Sequence, residues 1–128
     1  MIFSIIVACS SLSPGARSAL KFINSSLKLG HTIHRVFFYQ DGVLNANALS
    51  VLPQDEIALT TQWQKLREQH NIELIVCVAA SLRRGIIDDA EAKRYQKNGA
   101  NVIDGFELSG LGQLVDATLV SDRVITFK

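Results

Sequence analysis

Only two cysteines occur in the 128-residue chain, Cys9 and Cys77, and neither belongs to a Cys-x-x-Cys motif. So sparse a pair excludes the disulfide scaffold of a small secreted domain and is typical of a protein in a reducing cytosol. Without a resolving thiol close in sequence, a thioredoxin-like internal redox cycle is excluded as well. Linkers, low-complexity segments and internal repeats are also absent, so we expect one cytoplasmic domain over residues 1–128.

Long apolar runs and blocks of like charge are missing too. The apolar segment at residues 2–8 is too short to span a bilayer and has no Lys or Arg before it, so neither a membrane anchor nor a signal peptide is predicted. The net charge is only +1, and all twelve acidic residues follow Gln40. Direct nucleic-acid binding normally shows a concentrated basic face, so this balance argues against it and favours an acidic protein partner.

Familiar ligand motifs are absent as well. The loop at residues 10–15 precedes a helix but lacks Gly-x-Gly-x-x-Gly and Walker spacing, so it is interpreted as a capped turn rather than a phosphate cradle. This weakens the hypothesis of a flavodoxin-like nucleotide binder. The three histidines, His31, His34 and His70, have no metal-ligand spacing with cysteine or carboxylate pairs. We therefore predict neither a metal nor a cofactor.

What the chain does have is an alternation of apolar strands with amphipathic helices. Such alternation predicts a three-layer α/β/α fold with a mainly parallel five-stranded sheet, of the flavodoxin-like kind. Apolar stripes on the helices, including Leu111, Leu114 and Val115, are interpreted as core. Start and stop signals predict strands at 2–8, 32–39, 72–77, 102–106 and 124–127, with helices from Ser13 to Gly30, around 59–66, at 79–84, from Asp88 to Gly99 and from Ser109 onward, while 43–53 is irregular.

Cys77 is the candidate nucleophile because it follows the apolar run Leu74–Val76 at the carboxyl end of a predicted strand, where open parallel sheets place their sites. Backbone N–H groups at the start of the next helix would favour its thiolate. The small residues at 79 and 80 would leave room for an incoming thiol. We expect the Arg84 side chain to lean back towards the sulfur and Arg83 to point elsewhere, as a docking charge. A lone cysteine is, however, often only a small buried hydrophobe, and that interpretation is preferred for Cys9.

Polar residues after the second strand allow two interpretations. Asp41, Asn45 and Asn47 could orient a ligand, or they could simply form turns, and the residues alone do not decide between these. Tyr39, at the end of the same strand, could reach a subunit interface.

Three segments, Val36–Val43 with Asn45–Asn47, Cys77–Gly85 and Gly105–Gly112, together resemble the DsrE family of sulfur-carrier proteins, and the likeness runs over essentially the full chain. The resemblance implies that Cys77 carries sulfur as a persulfide and that the two following arginines belong to the same motif. It also implies that the second strand lies between the first and the third. The two cysteines would then be about 9 to 10 Å apart, too far for a strain-free disulfide.

The same resemblance implies a relay. A TusA-like donor would supply the sulfur, a TusE-like acceptor would take it towards 2-thiouridine at the tRNA wobble position, and TusB-like and TusC-like subunits would complete a hetero-oligomer. The alternative is a non-catalytic structural subunit of such an assembly, since related chains can lack the cysteine. The intact motif at Cys77 favours the carrier.

Overall fold

Five parallel strands form one sheet in the order β4-β3-β2-β1-β5. The structure is a computed structural model that describes residues 1–54 and 58–128. Each neighbouring pair runs parallel, as predicted, and the second strand lies between the first and third. The strands are β1 (Ile2–Val7), β2 (Thr32–Phe38), β3 (Glu73–Cys77), β4 (Phe106–Ser109) and β5 (Arg123–Phe127).

Helices cover both faces of this sheet, which confirms the three-layer architecture. Phe38 of β2 packs its ring against Trp63 on one face, whereas Arg35 of the same strand bonds to the backbone of Gln113 on the other. Within the described residues, no helix is both long and apolar enough to cross a membrane. The helices are α1 (Pro14–Lys28), α2 (Leu59–His70), α3 (Val78–Arg83), α4 (Asp89–Arg94) and α5 (Gly112–Val120), with a 3-10 helix at Gln40–Ala46.

The main apolar core lies between the sheet and the pair α1 and α2. Ile23 of α1 and Trp63 of α2 are completely buried, and the indole meets the Phe38 ring edge-on at a centroid distance of 5.1 Å. Full burial of one large aliphatic side chain contributes about 1.5–3 kcal/mol. The α1–α2 face of the sheet therefore supplies most of the buried apolar packing. The carboxyl ends of β2 and β3 remain available for a site.

The fourth strand lies later in the chain than predicted, at Phe106–Ser109 instead of residues 102–106. Gly105 has a positive φ of 99°, a conformation that suits glycine, and the chain therefore turns there before entering the sheet. Val102 instead forms an isolated antiparallel bridge with Asn47. Ser109 pairs with β3, so the prediction that it caps the last helix was wrong.

Helix boundaries also needed correction. Asp88 caps α4 as predicted, since its Oδ1 accepts from the Glu91 N–H at 2.8 Å. The helix ends at Arg94 rather than near Gly99, because Gln96 adopts a positive φ of 56°. Ser13 precedes α1 but makes no side-chain cap bond. The segment expected to be irregular begins with the 3-10 helix.

Candidate functional site

Cys77 is the last residue of β3 and stands immediately before the first residue of α3. Its backbone is extended, with φ −61° and ψ 118°, so the chain turns from strand into helix at this residue. The preceding residues Leu74–Val76 are buried because both faces of this central strand are covered. Cys77 itself is buried at 3% exposure and lies in the wall of a small surface depression.

That depression, about 320 Å³ in volume, collects side chains from three parts of the chain. The residues predicted as a site, Cys77, Arg83 and Arg84, all contribute to its wall. The small side chain of Ala79 is exposed at its edge, which leaves the space open as expected. The complete lining is Tyr39, Gln40, Cys77, Ala79, Ala80, Arg83, Arg84 and Leu111.

The Arg84 guanidinium is hydrogen-bonded to other groups in the wall of the site. Its Nε donates to Asp41 Oδ1 at 2.9 Å, and its Nη1 donates to the carbonyl of Ala80 at 3.1 Å. The ion pair is partly solvated, since the Arg84 side chain is 30% exposed and that of Asp41 is 65% exposed. The carboxylate offsets part of the positive potential, and Asp41 is thereby the orienting partner of Arg84 rather than a turn former only.

Arg83 was expected to point away from the cysteine as a docking charge, and it is one of the residues in the wall of the depression at Cys77. Its side chain is exposed and lines the same depression as Arg84. Within residues 1–54 and 58–128 it makes no ion pair. Of the two arginines, Arg83 therefore holds the less compensated charge beside Cys77.

Gln40 and Leu111 are parts of the depression that the sequence did not single out. Gln40 has a positive φ of 50°, a conformation that side-chain-bearing residues seldom adopt and that often marks functional sites. The sequence signal nearest to this backbone conformation is Gly42, two residues later. A Cβ on Gly42 would lie 1.8 Å from the carbonyl oxygen of Val7, so glycine is required for the 3-10 helix to dock on the end of β1.

Asn45 and Asn47 hold backbone in place. The Asn45 amide donates to the carbonyls of Cys9 at 3.0 Å and Gly42 at 2.8 Å, and it is 1% exposed. Asn47 accepts a bond from the Asn101 amide at 3.2 Å. Both side chains are therefore engaged within the chain itself, and neither lines the depression.

Cys9 lies two strands away from Cys77, and both thiols are free. Its sulfur is 3.8 Å from the Phe127 carbonyl oxygen, and a Cβ built on Gly15 would come within 2.7 Å of it. Such close packing matches the predicted role of a small buried hydrophobe. In the described part of the chain no group of His, Cys, Asp or Glu side chains is placed to hold a metal ion.

The sheet face that carries Cys77 also carries an ionic cluster. Arg35 is 6% exposed, donates from Nε to Glu73 Oε2 at 2.8 Å, and donates from Nη1 to the Gln113 carbonyl at 2.7 Å and to Asp116 Oδ2 at 3.0 Å. The hydrogen bond from His34 chiefly, with help from Arg35, holds the pKa of the Asp116 carboxyl below its usual value. Because Glu73 and Cys77 are four residues apart on β3, their side chains share this face.

Comparisons with known proteins agree with this architecture. A structure titled "Crystal structure of ychN protein from E.coli" superposes with a TM-score of 0.72 at 20% identity and covers 98% of this chain and 97% of its own, which shows the fold. A protein of Vibrio vulnificus named sulfurtransferase TusD homolog is 48% identical over 90% of this chain and 88% of its own. The sulfurtransferase TusD of Salmonella arizonae is 53% identical, covering 88% of each.

The three sequence motifs resemble TusD in particular, and these relatives confirm that resemblance. The DsrE/DsrF-like family profile matches residues 1–127. The chain therefore belongs to the DsrE/DsrF-like family, and it is a sulfurtransferase.

Proposed function

We propose that Cys77 is the sulfur-carrying residue of this sulfurtransferase and holds the transferred atom as a persulfide. The observation that supports this most directly is the placement of Cys77 at the carboxyl end of β3, facing a depression that two arginines line. In open parallel sheets, working groups gather at that edge. The close relatives named sulfurtransferases supply the chemistry that such a thiol would perform.

The transfer consists of two displacements at sulfur. The Cys77 thiolate attacks the terminal sulfur of a donor persulfide, a new S–S bond forms, and the donor departs as its own thiolate with no net oxidation. The proton that was on the terminal sulfur stays there. An acceptor thiolate then attacks the same terminal sulfur on Cys77, and the cysteine leaves as a thiolate ready for another cycle.

The surroundings of Cys77 suit a carrier that exchanges with other chains. Cys9 lies beyond β2, on the far side of one intervening strand, so it does not resolve the persulfide into an internal disulfide. Free backbone N–H groups at the start of α3 favour an anionic sulfur, although the helix has only six residues and its dipole is correspondingly small. The two arginines in the wall of the depression add positive charge near this end of β3.

We assign the two arginines roles that differ from those indicated by the sequence spacing. Arg84 is held by Asp41 and the Ala80 carbonyl, so it forms a fixed wall with a partly neutralised charge. Arg83 is exposed at the same depression, and we assign it the role of attracting an anionic donor or acceptor surface. Rim charges of this kind act mainly on association rate and salt dependence.

For the wider pathway, we propose a cytoplasmic relay carried by residues 1–128 acting as one domain. A TusA-like protein is the donor, a TusE-like protein is the acceptor, and TusB-like and TusC-like subunits accompany the chain in a hetero-oligomer. The sulfur is destined for 2-thiouridine at the tRNA wobble position. The TusD names of the relatives support this context, and no direct contact with nucleic acid is proposed.

Intact-protein mass spectrometry tests the carrier residue. After incubation with a cysteine desulfurase, its TusA-like relay protein and cysteine, the chain should gain the mass of one sulfur atom, and reduction should remove it. Cys77→Ser should gain nothing, while the matched variant Cys9→Ser should load normally because its sulfur is packed away from the depression. Loading of Cys77→Ser would overturn the assignment to Cys77, whereas failure of the wild-type chain to load would leave the non-catalytic subunit as the better description of this chain.

The rate at which Cys77 is alkylated distinguishes the roles of the two arginines. Arg83→Ala should slow iodoacetamide modification of Cys77 at neutral pH more than Arg84→Ala does, because among the described residues the charge it removes has no carboxylate partner. Arg83→Ala should also flatten the salt dependence of sulfur transfer from the donor. The control is Arg94→Ala, which removes a 70% exposed charge outside the depression. Equal effects of all three variants would rule out a specific role for Arg83.

A further inference from the structure

Ser81 is a completely buried serine whose hydroxyl has no hydrogen-bond partner within the described part of the chain. It belongs to α3, the helix that directly follows Cys77. A serine inside a helix usually faces water or bonds back to the carbonyl of the residue four positions earlier, which here is Cys77. Ser81 does neither. A buried polar group without a partner destabilises a fold, so its presence beside a reactive residue calls for an explanation.

The position of Ser81 in α3 connects its hydroxyl to the sulfur-carrying site. Cys77, Ser81 and Arg84 follow one another at intervals of four and three residues, so they lie on one side of this helical turn. Cys77 and Arg84 both line the depression, as does Ala80 on the same side. Because helical side chains lean towards the N-terminus, the Ser81 hydroxyl lies over the turn that begins at Cys77. Ser81 is therefore behind the wall of the depression.

An anionic sulfur at Cys77 needs such a donor. The residue is 3% exposed, so water provides little hydrogen bonding to a thiolate there, and a buried charge without hydrogen bonds is costly. The Arg84 guanidinium already donates to Asp41 and to the Ala80 carbonyl. The Ser81 hydroxyl is uncommitted, and a hydroxyl rotates to suit its acceptor. Hydrogen bonds to an ionised acceptor are also stronger than those between neutral groups.

We propose that Ser81 is a further catalytic residue, whose hydroxyl donates a hydrogen bond to the anionic sulfur of Cys77 and has no partner while the thiol is neutral. This rests on the proposed function, because the anion is the thiolate that attacks the donor and later departs from the acceptor. Ser81 donates a hydrogen bond and gives up no proton, so the two displacements at sulfur are unchanged in atoms and charge. The unpaired hydroxyl of the resting state is satisfied when the sulfur becomes charged.

A pH titration of Cys77 alkylation tests this hydrogen bond, with Cys9→Ser in every variant so that one thiol is measured. In Ser81→Ala the pH of half-maximal iodoacetamide alkylation should rise by about one unit, since the thiolate loses a charge-assisted hydrogen bond. Ser81→Thr keeps the hydroxyl and should retain the wild-type profile. Ser4→Ala is the matched control, because Ser4 is a 2% exposed serine whose hydroxyl is bonded to that of Ser121.

Urea denaturation should distinguish the same two serines in the opposite sense. Removal of an unpartnered hydroxyl should leave the urea midpoint of Ser81→Ala unchanged or raise it, whereas Ser4→Ala should lower the midpoint because Ser121 loses its partner. An unshifted alkylation profile in Ser81→Ala, an equal shift in Ser4→Ala, a shift that persists in Ser81→Thr, or a lowered midpoint of Ser81→Ala would each overturn the proposal. Failure of the wild-type chain to load sulfur, together with the expected alkylation shift, would count against the proposed function alone.

Discussion

Helices α1 and α5 lie on opposite faces of the same sheet and are attached to it by different forces. Helix α1 buries Ala16, Ala19, Leu20 and Ile23 against the strands, so the hydrophobic effect holds it. Helix α5 is anchored by Arg35 and its partners, buries Ala117 and partly buries Leu114, and leaves Val115, Leu119 and Val120 exposed. The difference teaches that an apolar stripe identifies a helix but does not identify which surface of that helix meets the sheet.

The largest expected effect is on the α1 side. Ile23→Ala should lower the free energy of unfolding by about 2–5 kcal/mol, because it removes completely buried methyl groups and leaves a cavity. Urea denaturation followed by circular dichroism measures the change. A loss below the range would mean that α1 repacks easily and that the contrast between the two helices is weaker than the structure indicates.

Removal of Arg35, the centre of the ionic cluster that holds α5, should have a smaller and more local effect on stability. Arg35→Met should cost about 1–3 kcal/mol, since Glu73 and Asp116 lose their partner but, at 47% and 49% side-chain exposure, regain water. Hydrogen exchange should accelerate in Gly112–Val120 while protection in α1 is retained. Arg94→Met, at an exposed ion pair, should change neither quantity, and uniform acceleration over both helices would contradict a local anchor.

Truncation of an exposed apolar side chain on α5 should leave the stability of the isolated chain nearly unchanged. Val115→Ala should change the free energy of unfolding by no more than about 0.5 kcal/mol, because the side chain is already 56% exposed. Leu20→Ala on α1 is the matched comparison, and it should cost several times more. If Val115→Ala destabilised the isolated chain as strongly as Leu20→Ala, α5 would have to pack with its apolar side inward.

The smallest expected effect is on the stability of the fold at low pH. Because the folded-state pKa of Asp116 is lowered, its carboxylate stabilises the fold at pH values above the usual carboxyl pKa of 3.8, and this contribution is lost as the pH falls through the lower folded-state value. Asp116→Asn should therefore reduce the loss of stability between pH 5 and about pH 2 relative to wild type. Urea midpoints across that range give the comparison, with the exposed Asp104→Asn as control. Parallel curves for wild type and Asp116→Asn would exclude the linkage.

Strands and the first helix were predictable because their signals are local. Continuous apolar runs identified β1, β2 and β3 to within one residue, and the spacing of Ala16, Leu20 and Ile23 identified α1. The fourth strand was placed four residues too early, since Val102 and Phe106 are both β-favouring and only pairing with β3 selects between them. Local propensity is too weak to make that choice.

The sequence grouped Cys77, Arg83 and Arg84 but did not give the rest of the lining of the depression. Cys77 and the two arginines are neighbours in sequence, so a short motif contains them. Gln40 and Leu111 come from the ends of other elements and enter the depression only when β2, β3 and α5 come together. Leu111 and Val115 were expected in the core, and this was wrong because the polar anchor at Arg35 turns the opposite side of α5 towards the sheet.

The sequence by itself determined the parallel α/β architecture, the family and the cysteine at the end of β3, because apolar periodicity and contiguous motifs are properties of neighbouring residues. Tertiary structure alone decided the partner of Arg84, the orientation of α5 and the wall of the depression. Each of these depends on groups far apart in the chain, such as Asp41 with Arg84 and Arg35 with Gln113, whose encounter is set by strand order and not by spacing.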